Sequence, residues 1–272
     1  MNLIDFDSHF SDYLSAWVEK NRKRFQRPEQ MEDEVDGVYL QFLNTPAPWL
    51  DGAAPGDYFD RHHDAAELCT LLAGYINGDV PVPDPLLYRL LALGDEAALL
   101  KLIRDQEAPC AARMHGIDLL REMESAAPMV DYIRWQVERG EDEELLDSAL
   151  ESLRAMGDQM RKPAKIAFMA AEQEGKEALL DVLCDFPGDD DVFSFALGCF
   201  LTQRQKRGLF AGYLAKLDDD RALEALFEAA EGSDIDYIDF IEVRSAIERL
   251  GGEAPVRDFS KDSGYRAVQR LQ

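Results

Sequence analysis

The chain's 272 residues, 46% of them apolar, are enough for a large core and exclude general disorder. Fifty-four acids against 29 bases leave a formal net charge of −25, a field that repels phosphate backbones and disfavours nucleic-acid binding. No apolar run approaches the roughly 18–20 residues of a membrane-spanning helix, so no membrane segment is predicted.

Leu, Ala, Glu, Arg and Met recur at spacings of three and four, and strand-like alternation is scarce, which predicts an all-α fold. The opening MNLIDFDSHF has early acids and no long apolar stretch, so it does not read as a signal peptide. A first helix places Phe10, Tyr13, Leu14, Trp17 and Val18 on one stripe, with Asp7 or Ser8 as its N-cap. The basic cluster Lys20, Arg22, Lys23, Arg24 and Arg27 reads as its solvated end, where cations suit the helix dipole. Pro28 is expected at the first position of a second helix carrying Met31, Val35, Val38, Tyr39, Phe42 and Leu43.

The stretch FLNTPAPWLDGAAPGDYFD (residues 42–60) predicts a stiff corner. Pro46 and Pro48 stop a helix, Asp51-Gly52 turns the chain, and Pro55 starts a helix expected over 55–76. Trp49 stands in this corner, either folded back to pin it or facing a partner as an aromatic anchor. The segment NGDVPVPDP is a second rigid break and closes a helical unit spanning residues 1–81.

Beyond it a signature recurs: two apolar residues three apart, then a turn or polar residue. It starts at Leu90, Leu120, Leu153, Leu183, Leu214 and Ile247, at intervals of 30–33 residues, enough for two helices and two turns. One helical hairpin cannot bury its own apolar face, whereas stacked neighbours share a core. This predicts an α-solenoid of helical hairpins over residues 82–252. A tail follows at 253–272, with a terminal helix carrying Tyr265, Val268 and Leu271 that caps the array.

These repeats, particularly DDDVFSFALGCFL and DIDYIDFIEVRSAIERLGG, resemble HEAT-like repeats across residues 83–252. That resemblance implies a scaffold that binds proteins along a helical face. Residues 42–83, with an LNTP-x-P-x-L-x-G corner and a closing G-x-V-P-V, are similar to the toxin-binding module of Xre/ParS-type antitoxins. The implied partner of that segment is a toxin. Upstream, no helix-turn-helix DNA-binding half is visible.

Three clusters are candidates for chemistry. In DRHHDAAEL, a continuous helix would pair Asp60 with Asp64 and His63 with Glu67 at i,i+4, a spacing that suits zinc or general acid–base work. The triplets at 189–191 and 218–220 read as helix caps, since adjacent helical residues diverge. Asp236, Asp239 and Glu242 form a carboxylate stripe suited to a basic peptide, beside an expected Arg244–Glu248 pair. Cys69, Cys110, Cys184 and Cys199 lack metal-like spacing and predict buried thiols in a reducing cytoplasm. Nucleotide-binding, hydrolase and metalloprotease motifs are missing from the sequence. The reading is therefore a non-enzymatic scaffold with no catalytic residues and no cofactor. Its acidic concave face holds a protein or peptide bearing Lys and Arg. A metal-dependent enzyme built on the 60–67 cluster and a toxin-neutralising partner using 42–83 stand as the alternatives.

Overall fold

The computed structural model describes residues 3–25, 27, 29–260 and 262–270, and every regular element among them is a helix. The first helices are α1 (Phe6–Asn21), α2 (Glu29–Glu32), α3 (Val35–Leu43), α4 (Ala65–Asn77), α5 (Asp84–Leu93) and α6 (Glu96–Arg104). Next come α7 (Cys110–Glu122), α8 (Met129–Glu138), α9 (Glu143–Ala155), α10 (Asp158–Ala170) and α11 (Gln173–Leu183). The last are α12 (Asp190–Thr202), α13 (Arg207–Leu217), α14 (Leu223–Glu231), α15 (Tyr237–Arg249) and α16 (Ser263–Gln269). No helix among the described residues is long and apolar enough to cross a membrane.

The chain forms two compact units, Met1–Met129 with Glu141–Ala155, and Val130–Gly140 with Met156–Gln272. In the first, α1 packs on α3, α4 on α5, α6 and α7, and α7 on α9. In the second, α10 packs on α11, α12 on α13, and both α13 and α14 on α15.

Much of the acid surplus sits at helix starts. Asp5, Asp64, Asp95, Asp189 and Asp236 each accept a backbone N–H in the first turn of α1, α4, α6, α12 and α15, where a carboxylate also meets the positive end of the dipole. The first helix thus begins two or three residues earlier than Asp7 or Ser8 would place it. In the triplets, Asp189 and Asp219 do cap, the latter a short 3-10 turn at Asp220–Ala222. The expected N1 proline, Pro28, and Leu271 lie outside the described residues.

The recurring signature has a uniform local structure. Leu90, Leu120, Leu153, Leu183, Leu214 and Ile247 are all buried, and they lie in the last two turns of α5, α7, α9, α11, α13 and α15. Four or five residues later each helix is followed by one residue of positive φ: Gly94, Glu124, Gly157, Gly188, Asp218 and Gly251. Gly94 and Asp218 are left-handed helical, a conformation that turns the chain back so the freed carbonyls can be reused, whereas Gly157, with ψ −133°, leads directly into α10. The Ser125 N–H donates to the Leu120 carbonyl at 3.0 Å, and the Gly252 N–H to that of Ile247 at 2.9 Å. Four of the six positions hold glycine, which meets no Cβ penalty there. Glu124 does meet it, so Glu124→Gly is expected to raise stability by about 1 kcal/mol, read as a higher urea midpoint with an unchanged slope.

The C-terminal tail folds back onto α14 and α15. The Arg257 Nη1 donates to the carbonyls of Ala230 and Gly232 at 2.7 and 2.6 Å, closing the end of α14. Phe259 and Tyr265 pack edge-on to Tyr237 at 5.4 and 5.0 Å.

Candidate partner-binding cleft at the proline corner

The corner closes on itself through the backbone. The Ala47 N–H donates to the Ala53 carbonyl and the Gly52 N–H to the Ala47 carbonyl, both at 3.0 Å. Asp51 and Gly52 take left-handed conformations inside this ring, and Pro48–Leu50 forms one 3-10 turn. Ala47 and Leu50 are buried beneath it. Gly56 fits because a Cβ there would lie 3.0 Å from the Leu43 carbonyl oxygen. So few soft dihedrals remain that the Trp49 side chain is presented in a fixed place.

Trp49 folds back onto α1. Its ring lies parallel to His9, with centroids 3.8 Å apart and planes 4° apart, and meets the edge of Phe6 at 5.5 Å. Phe6 in turn stacks on Phe59 at 5.7 Å, joining the corner to the buried core. The ring stays only half-buried. With Tyr13, Phe42, Pro46 and Pro55 it lines an open cleft of about 440 Å³, and Asp12 stands exposed among the lining residues. Aromatic faces carry negative charge density, so rings beside a carboxylate suit an ammonium or guanidinium group. Sequence reasoning found Trp49 but missed His9 and Asp12. The available signal was the spacing of four between His9 and Tyr13, which stacks both on one face of α1.

The 60–67 cluster is arranged differently from the expectation. The helix predicted over 55–76 is broken: a 3-10 helix at Pro55–Arg61 ends, His62 is extended, and α4 starts afresh at Ala65. Asp64 is the N-cap of α4, accepting from the Ala66 N–H at 2.8 Å, so Asp60 and Asp64 share no helical face, and neither do His63 and Glu67. Arg89 from α5 occupies the middle of the group instead. Its Nε donates to the His62 carbonyl at 2.9 Å, its Nη2 lies 3.0 Å from His63 Nδ1, and its Nη1 lies 3.8 Å from Asp60. A fixed guanidinium thus stands between the side chains a metal would need. Among the described residues, no group of three or more His, Cys, Asp or Glu side chains is arranged to hold a metal.

The α15 carboxylates lie in the second unit, partly turned to α13. Asp236 caps its own helix, accepting from the Asp239 N–H at 2.9 Å. Asp239 accepts from the Gly208 N–H at 3.1 Å. Burial and the neighbouring Asp236 raise its carboxyl above the ordinary range, against the opposing pull of that N–H and Arg207. Glu242 lays its Cβ and Cγ beside Gly208 and keeps an exposed head. Arg244 and Glu248 pair at 2.8 Å as their spacing predicts. Cys69, Cys184 and Cys199 are buried and Cys110 half-buried. Burial pushes the Cys69 thiol up to about 11, away from reactivity.

In comparisons with known proteins, no family model, no curated protein and no solved structure matches the chain.

Proposed function

We propose that this chain is a non-enzymatic interaction protein, a HEAT-like α-solenoid preceded by a helical unit, that binds a partner segment bearing Lys or Arg through acidic surface. The repeated helix ending, one buried aliphatic residue and one residue of positive φ per 30–33 positions, supports the stacked-hairpin reading. The observation that carries the binding reading is the cleft at the corner. Trp49 is stacked on His9, part of its surface is left for a ligand, and Asp12 lines the same cleft. A rigid aromatic anchor loses little entropy on binding. The carboxylates of Asp236 and Glu242 extend the same preference for cations to the second unit. The corner is also the segment that resembles the antitoxin module, so a basic toxin is one partner that fits this chemistry.

The test is a titration with a fluorescent Arg-rich peptide and a Glu-rich control. The Arg peptide is expected to bind and to weaken with salt as screening shortens to about 8–10 Å. Trp49→Ala should weaken binding by about tenfold, or 1.4 kcal/mol, and the exposed variant Asp12→Asn should do so to a smaller degree with the fold intact. Equal binding of both peptides, or an Asp12→Asn protein that binds like the parent, would refute the cleft as the site.

A further inference from the structure

The second unit holds an apolar groove that the corner does not explain. It lies between α8 and α10, has a volume of about 390 Å³, and is lined by Val130, Ile133, Val137, Pro163, Ile166 and Ala170 among others. Helix α10 carries two apolar faces. Met160, Ala164 and Phe168 are buried, while Pro163, Ile166 and Ala170 form an outward stripe at i, i+3, i+7. Helix α8 repeats the arrangement: Tyr132 and Trp135 are buried, and Val130 and Val137 look into the groove. The exposure is large for aliphatic side chains, 72% for Val130 and 64% for Ile166. Alanines at 167, 170 and 171 leave the floor shallow enough for another helix to approach.

The charge at the two ends differs. A Cβ on Gly175 would meet the Cα and carbonyl of Val137 at 3.0 Å and the Ala171 side chain at 3.2 Å, so the C-terminal ends of α8 and α10 lie together. Glu138, 59% exposed and 3.8 Å from the half-exposed Arg134 guanidinium that also lines the groove, and the exposed Glu172 stand at that end; a bridge this exposed is weak enough for a ligand cation to share the carboxylate. Lys162 stands at the opposite end, beside Pro163. From Pro163 to Ala171 the stripe runs about 12 Å, or roughly two helical turns.

We propose that this groove docks an amphipathic α-helix of a partner protein, its aliphatic stripe on Val130, Ile166 and Ala170 and a cationic residue over Glu138. The net charge of −25 opposes a second copy of the chain as the occupant and selects a basic partner. An extended basic peptide at the corner satisfies charge and aromatic contact. Here the anchor is aliphatic, at helical spacing.

The probe is a labelled amphipathic Leu/Lys helical peptide, read by fluorescence anisotropy on the full chain, beside a scrambled peptide of the same composition. The ordered peptide is expected to bind at least about tenfold tighter than the scrambled one. Ile166→Asp is the decisive variant, because it adds a negative charge while removing the apolar anchor. A loss of about tenfold or more in affinity for the ordered peptide, with an unchanged circular dichroism melt, supports the groove. Glu138→Lys should weaken binding to a smaller degree. The proposal is overturned by an Ile166→Asp protein that binds as tightly as the parent or tighter, which would show charge attraction alone. Equal binding of the scrambled peptide would overturn it too. Self-association by sedimentation that Ile166→Asp abolishes would assign the groove to a second copy and overturn it as well.

Discussion

Glu141→Ala is expected to destabilise the first unit by about 3–5 kcal/mol, measured by urea unfolding. Glu141 lies in the turn before α9, and its carboxylate meets Arg113 of α7 at 2.8 Å with the two side chains 10% and 5% exposed. The Arg113 Nε also donates to the Ile103 carbonyl at 2.8 Å, so the guanidinium is anchored inside and cannot swing to water when its partner is removed. What is lost is therefore more than the attraction of the pair. The buried guanidinium keeps its desolvation cost while it loses this counter-charge, and that desolvation dominates. The same reasoning gives the double variant Arg113→Met with Glu141→Leu an opposite character: it removes both charges and should recover most of the loss. A single-variant loss below about 1 kcal/mol would mean that the pair behaves like a surface bridge.

The interior of each helix was legible from apolar spacing, because a 3.6-residue period leaves little freedom about which face is buried. Leu90, Leu120, Leu153, Leu183, Leu214 and Ile247 are all buried, and the turns after their helices were readable as Gly or Asp at five of the six, Glu124 being the exception. The endings were harder where a side chain had two physical uses. Asp64 is a candidate ligand only in the alternative that runs one helix through 55–76, whereas Asp64 with Glu67 also fits the spacing of a capping box, and capping is the role it takes. No proline or glycine marks the break at His62, so only that cap signalled it. Arg89 was invisible as a member of the cluster, since its contacts to His62 and His63 span 27 and 26 residues. The cleft was half legible for a similar reason. The corner is local and announces itself through Pro46, Pro48 and Pro55, whereas His9 and Asp12 reach it from a helix some forty residues earlier. The outward aliphatic stripe on α10 went unread because Ile166 and Pro163 look, in sequence, like any other core positions.

Leu214→Ala is expected to cost about 3–5 kcal/mol, as for other fully buried leucines whose cavity cannot collapse. Leu214 sits on α13, which packs between α12 and α15, so the cavity would open inside the most heavily shared packing of the second unit. Where the loss appears is as informative as its size. In a stack of hairpins each unit is held only by its neighbours, so the cavity should loosen α12, α13, α14 and α15 and leave distant helices protected. Native-state hydrogen exchange on the full chain reads this directly. Amides of α12 to α15 should exchange faster at low denaturant while those of α4, α6 and α7 keep their protection. The matching variant Leu120→Ala on α7 should reverse the pattern. If instead both variants lowered the protection of every helix by the same amount, the chain would unfold as one cooperative body, and the solenoid reading would fail.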